Sequence, residues 1–212
     1  MADTGHSILK SMGTLGLVAI LGTALLAGVH VLTSERIAEQ ERRVVLEQLG
    51  QVLSADRYDN KLQDDLFSLS DELHFPGSQQ VIAYRARKLG EPVAVILRFS
   101  ATNGYNGSIG LLAGIRANGQ LTGVRVTTHK ETPGLGDGIE AEKSDWILAF
   151  NDRSLQNPEQ RGWAVKRDGG VFDQFTGATI TPRAIVDAVH AALEFFSANR
   201  EMLFEHPAIN SE

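Results

Sequence analysis

The chain's hydrophobic pattern has three regimes. From Ser11 to Ser34, "SMGTLGLVAILGTALLAGVHVLTS", apolar and small residues run on without a single Asp, Glu, Lys or Arg. A helix rising about 1.5 Å per residue crosses a hydrocarbon core of roughly 30 Å over such a length. A cleaved signal peptide usually carries a shorter apolar region of about 7–15 residues. The run therefore predicts a retained, single-pass transmembrane helix, with residues 1–34 as tail and membrane segment. Next, "ERIAEQERRVVLEQLGQVL" predicts a helical stalk, with Ile37, Val44, Val45 and Leu49 as inward positions. "DNKLQDDLFSLSDELHFPGSQQ" reads as a short helical or irregular connector ended by Pro76 and Gly77, which completes a stalk-and-connector region over 35–79.

From residue 80 the period becomes two, the signature of strands. "QVIAYRARKLGEPVAVILRFS" predicts two strands around Leu89-Gly90. "GSIGLLAGIRANGQLTGVRVTTH" predicts two more, joined at Asn118-Gly119, a strong hairpin signal, with Ile115 and Leu121 flanking the turn. A helix is expected over "IEAEKSDWILAF" and a last strand near "GWAVKRDGGVF". A closing helix is expected from Pro182 to Phe204, where Ile185, Val189, Ala192 and Phe196 recur at helical spacing. The fold class is α+β: an antiparallel sheet with packed helices over 80–205, followed by a tail over 206–212.

Composition narrows the function. A net charge of −6 with no basic run argues against nucleic acid as a partner. The absence of cysteine excludes disulfides, thiolate zinc sites and protein-ligated iron–sulfur clusters. Lys10 lies before the apolar run and Arg36, Arg42 and Arg43 after it. By Lys/Arg count alone, the C-terminal domain would face the cytoplasm.

The chemistry gathers in "DQFTGATITP", residues 173–182. The residue before a proline prefers an extended backbone, and proline suits the first helical turn. Thr181 is thus the expected N-cap of the closing helix. Thr176 and Thr179 flank Gly177 and Ala178, which permit unusual dihedrals and close approach. At a helix N-terminus the free N–H groups and the dipole favour an anion. A phosphate-bearing ligand fits this arrangement; a glycine turn that merely caps a helix fits it too.

"DQFTGAT" resembles the flavinylation motif Asp-x-x-[Ser/Thr]-Gly-Ala-Thr. It belongs to the FMN-binding domain shared by the G subunit of the Rnf (Rsx) ferredoxin:NAD oxidoreductase and the C subunit of the sodium-pumping NADH:quinone reductase. "TITPRAIVDAV", "ETPGLG" and "GYNGSIG" are also similar to the Rnf G subunit, and the likeness runs nearly the whole chain. The resemblance implies a membrane-anchored electron-relay subunit with FMN joined through its phosphate to Thr179. Asp173, Thr176, Gly177 and Ala178 complete the motif. It further implies partner subunits of the complex, an external flavin transferase, and an inner-membrane location with the domain on the periplasmic side. The last point opposes the Lys/Arg count, but long domains translocate largely regardless of so small a bias.

Beside that motif, "HKETPGLGDG" is the expected second wall of the flavin site. Gly134 would let backbone approach a flat ring, Leu135 would line it, and Glu131 or Thr132 would bond its polar edge. Lys166 is either a phosphate neighbour or an ordinary surface lysine, and Trp146 either a ring neighbour or core. The Gly134-x-Gly136-x-Gly138 spacing lacks the Gly-x-Gly-x-x-Gly register and βαβ context of a dinucleotide site. His129 and Glu131 are too few to hold a metal. Three other readings remain: the C subunit of a quinone reductase, a cofactor-free membrane-anchored assembly module, and a Thr-nucleophile hydrolase. The last has no histidine placed by sequence as its base.

Overall fold

The computed structural model describes residues 3–77 and 80–205, and within 3–42 only some of the side chains. The expected tail over 206–212 lies outside the described residues. Two compact units are present, Met1–Leu46 and Glu47–Glu212.

The first unit is one helix, most of α1 (Asp3–Val52). Large apolar side chains along it, Leu15, Ile20, Leu21, Leu25, Leu26 and Val29 among them, are exposed. Among the described residues, no helix is long and apolar enough to cross a membrane. The side chains of Leu17, Val18 and other parts of the expected membrane helix are not among those described. Of the expected inward stalk positions, Val44 is exposed and Ile37 is undescribed, whereas Leu49 is fully buried.

The second unit holds a five-stranded antiparallel meander: β1 (Leu66–Leu69), β2 (Val81–Lys88), β3 (Glu91–Gly104), β4 (Gly107–Arg116) and β5 (Leu121–Thr128). The alternation read from the sequence holds for β2 to β5, and Ile115 pairs with Leu121 across the Asn118-Gly119 hairpin. β1 corrects the connector reading, because a strand pairs with β2 inside the stretch expected to be helical or irregular. The sheet-bearing unit therefore begins before residue 80.

One sheet face packs Val95, Leu97, Phe99, Leu111 and Ala113 against α2 (Ile180–Glu205). Along α2, Ile185, Val189, Ala192, Leu193 and Phe196 are buried at three- and four-residue spacing. Each large apolar side chain among them contributes about 1.5–3 kcal/mol by leaving water. The other face is covered in part by the end of α1, where the Val52 carbonyl accepts from the Thr122 hydroxyl at 2.5 Å. With both faces covered, "VAVIL" in β3 is a continuous apolar run rather than an alternating one.

Two expected elements are absent. Residues 139–150 form no α-helix; Ser144 is fully extended and begins a separate 3₁₀ turn, Asp145–Phe150, by accepting from the Trp146 N–H. Residues 162–172 form no strand. They fold back through a 3₁₀ turn, Lys166–Asp168, so that only Val165 and Phe172 bridge. These two irregular segments deliver Trp146, Phe150, Trp163 and Phe172 into one aromatic cluster, with Phe150 and Phe172 stacked at 4.6 Å.

Candidate functional site

The threonine-rich stretch leaves this cluster at Phe175, whose ring lies 5.4 Å from that of Trp146. The Ala178 N–H returns to the Phe175 carbonyl at 3.1 Å, closing a tight turn. Its third residue, Gly177, has φ +82°, a conformation that disfavours any side chain. Thr176 sits exposed at the tip.

Thr179 follows, and its carbonyl accepts from the Arg183 N–H, the first bond of α2. That makes Thr179 the N-cap residue and corrects the assignment to Thr181. Thr181 lies inside the first turn, 1% exposed, and its hydroxyl donates to the Glu131 carboxylate. Pro182, with no N–H, leaves the Ile180 and Thr181 amides as the helix's forward-facing donors.

Glu131 is the keystone of the opposite wall. It is 4% exposed, and its second oxygen accepts from the Asn106 N–H at 3.0 Å in the β3–β4 turn. One buried carboxylate thus ties that turn, its own loop and the start of α2 together. Each oxygen holds one partner within the protein, and Glu131 also lines the cavity between the walls. Thr132 is tied into the same wall: Asn106 Nδ2 donates to its hydroxyl, and the Leu135 and Gly136 amides return to its carbonyl. Gly134, at φ +77°, makes that return possible, and Leu135 is left exposed at the crest.

An ion network holds the loop from below. Lys143 Nζ reaches Asp137 at 2.8 Å and Glu140 at 2.7 Å. The Lys143 hydrogen bond holds each carboxyl below the usual carboxylate range, and together they raise the Lys143 ammonium above its own. His129 Nδ1 accepts from the Glu131 N–H, so Nε2 carries the proton toward Glu140 at 2.9 Å. Both ring nitrogens are committed to this loop.

Between the walls is a cavity of about 200 Å³ lined by Thr179, Gly177 and Ala178 on one side and Glu131, Thr132 and Leu135 on the other. Six of the sequence-predicted residues thus meet across it. Tyr105, from "GYNGSIG", lines it as well, and Tyr105, Leu135 and Ile180 form an exposed apolar rim. Pockets for sizeable ligands usually measure about 300–1,000 Å³. This one has room for a smaller group, of the size of a phosphate and a short chain.

Asp173 and Lys166 stand apart from that lining. They pair with each other at 2.6 Å, both exposed. Lys166 therefore holds the motif's leading acid rather than facing the cavity. The Asp173 carbonyl accepts from Trp146 Nε1 at 2.6 Å, which makes Trp146 a core residue that braces the motif.

The FMN-binding domain family matches residues 104–194, a span holding both walls, and the RnfG N-terminal region matches residues 1–52. The chain is 45% identical to the G subunit of the ion-translocating oxidoreductase complex of Shewanella loihica, over 96% of each chain. It is 49% identical to the protein of the same name from Pseudomonas aeruginosa, over 95% of this chain and 94% of that one. The crystal structure of Shewanella oneidensis NqrC aligns more weakly, with a TM-score of 0.47 and 19% identity over 72% of this chain and 71% of that one.

Proposed function

The chain belongs to the family of G subunits of the ion-translocating oxidoreductase complex, and we propose that it relays electrons within an Rnf-type complex through FMN joined by a phosphoester to Thr179. The single observation that carries this reading is the position of Thr179, at the N-terminus of α2 and in the lining of the cavity shared with the 131–136 loop. A phosphate on its hydroxyl meets the open end of the helix, where amides and dipole attract negative charge.

The bound flavin would supply the electron-accepting and electron-donating chemistry; the protein supplies position and electrostatics. The Gly177 turn presents the Thr179 hydroxyl to the surface. The Glu131 bracket fixes the distance between the walls. Tyr105, Leu135 and Ile180 would shield one side of a flat ring from water. A threonine hydroxyl is a poor nucleophile, so attachment falls to an external flavin transferase. The exposed Asp173–Lys166 pair is accessible to such an enzyme.

The anchor is the charge-free run 11–34, whose exposed apolar side chains need an apolar surrounding. The location proposed is the bacterial inner membrane, with the α+β unit on the periplasmic side and other subunits of the complex as partners. Because the chain has no cysteine, a single Glu159→Cys is a clean topology reporter. A membrane-impermeant thiol reagent should label it in intact cells; labelling only after lysis would reverse the assigned side.

The decisive test is the mass of the purified full chain from a host containing the transferase. It should exceed the sequence mass by FMN less one water. The tryptic peptide 168–183 should carry the addition, and fragmentation should put it on Thr179. An unmodified chain would leave the cofactor-free reading standing.

A further inference from the structure

A second cavity, of about 470 Å³, lies between the last turn of α1 and strands β2 to β5. It shares no lining residue with the Thr179 cavity. Its lining includes Arg57, Lys88, Arg116 and Arg125 and contains no Asp or Glu. In a chain of net charge −6, that is a local reversal of sign.

The end of α1 accounts for only part of this charge. A helix C-terminus carries roughly −0.5 of an elementary charge, and the Val52 carbonyl already accepts from Thr122. Lys88 Nζ donates to the Asp56 carbonyl at 2.9 Å, and Arg116 pairs with Asp152 at 2.8 Å. Arg57 approaches the Asp56 carboxylate only at 3.9 Å. Arg125 makes no ion pair among the described residues; its Nη1 donates to its own neighbour's carbonyl, that of Val124, at 2.8 Å. Burial lowers the Arg125 pKa, with Glu142 opposing at longer range.

The end of α1 seats on bare sheet backbone. Gly114 and Gly123 pair across β4 and β5. A Cβ on Gly114 would stand 3.1 Å from the Val52 carbonyl oxygen, and one on Gly123 would stand 3.6 Å from the Val52 Cα, with Asn151 Oδ1 and Arg125 Nη1 at 3.4 and 3.7 Å. The bare backbone at these two positions is taken up by the end of α1, and Arg125 and Asn151 line the cavity beside it. Arginine forks match the oxygens of a phosphate.

We propose that this cavity binds a phosphate-bearing anion, independently of the flavin reading. Two sources share that chemistry, a soluble phosphate compound and the headgroup of an anionic phospholipid. Full-length protein in maltoside micelles would be titrated calorimetrically with sodium pyrophosphate, with dihexanoyl phosphatidylglycerol and with dihexanoyl phosphatidylcholine. Saturable binding of either anionic probe is expected, weakening at least tenfold in Arg125→Gln, with no response to phosphatidylcholine. Pyrophosphate alone would identify the soluble source, and phosphatidylglycerol alone the lipid. Arg57→Gln, an exposed change that spares the fold, should weaken the same probe; Lys130→Gln, outside the cavity, should not. Covalent flavin content should be equal in all three variants. Binding of neither anionic probe, binding unchanged in both Arg125→Gln and Arg57→Gln, or uptake of polyglutamate while both phosphate probes fail would each overturn the proposal.

Discussion

The two proposed anion sites differ in where their positive charge would come from. At the start of α2 the lining of the Thr179 cavity contains no Lys or Arg; its positive potential comes from backbone amides and the helix dipole. At the end of α1 the backbone is negative, and the positive charge would come from the cationic side chains that line the cavity, Arg125 above all. A backbone site is rigid and oriented, which suits a group attached once and held in one place. A side-chain site is screened by salt and adjusts to its guest, which suits exchange. The difference also predicts how each will fail. The first depends on shape, held by a buried carboxylate, and the second on charge.

The largest expected effect is at the attachment point. Thr179→Val keeps the shape of the side chain and removes the hydroxyl, so covalent flavin fluorescence should vanish from denaturing gels. The circular dichroism spectrum should stay that of the native fold. A flavin-bearing peptide recovered from this variant would move the attachment to another residue, Thr176 first.

Breaking the bracket should cost stability. Glu131→Ala leaves the Asn106 N–H and the Thr181 hydroxyl without their buried acceptor. Removing a charged hydrogen-bond acceptor of this kind costs about 1.5–3 kcal/mol, and urea unfolding would measure it. Thr179 remains present, so reduced flavin content would report on loosened walls rather than on a lost acceptor.

The Lys143 network gives a pH window for the same wall. Asp137 and Glu140 titrate below their ordinary values, so their contribution is complete above about pH 4.3 and is lost as pH falls through the depressed folded values. Lys143 titrates above its ordinary value, so its contribution is complete below about pH 10.4 and is lost as pH rises through the raised one. Amide hydrogen exchange over 131–143 should accelerate at both extremes, and Lys143→Met should remove both limits together. A loop equally protected at pH 3 and pH 7 would show that the network is ornamental.

The smallest effect should be Thr176→Ser. Thr176 is exposed at the turn tip, and stability should change by no more than about 0.5 kcal/mol. A large loss of flavin in this variant would show that the transferase reads the threonine methyl group.

What the sequence determined by itself was local. Alternation set β2 to β5, Asn118-Gly119 set their hairpin, and three- and four-residue spacing set α2, because each is a periodicity written into neighbouring residues. The motif, with Gly177 and Ala178 ahead of Thr179, marked one wall, and "ETPGLG" marked the other. Only the tertiary structure decided what joins them. The bond from Thr181 to Glu131 links residues 50 positions apart, so no local pattern encodes it. Proline logic makes Thr181 a cap, but long-range pairing with a buried carboxylate takes its hydroxyl and leaves Thr179 at the helix end. β1 has no local signature, because four residues cannot establish a period; pairing with β2 makes them a strand. The helix expected over 139–150 fails because Ser144 stays extended, while Trp146 is held by the Asp173 carbonyl 27 positions away. Periodicity is set by the backbone's own geometry and can be read along the chain. Which polar groups find each other in the interior depends on where the whole chain has gone.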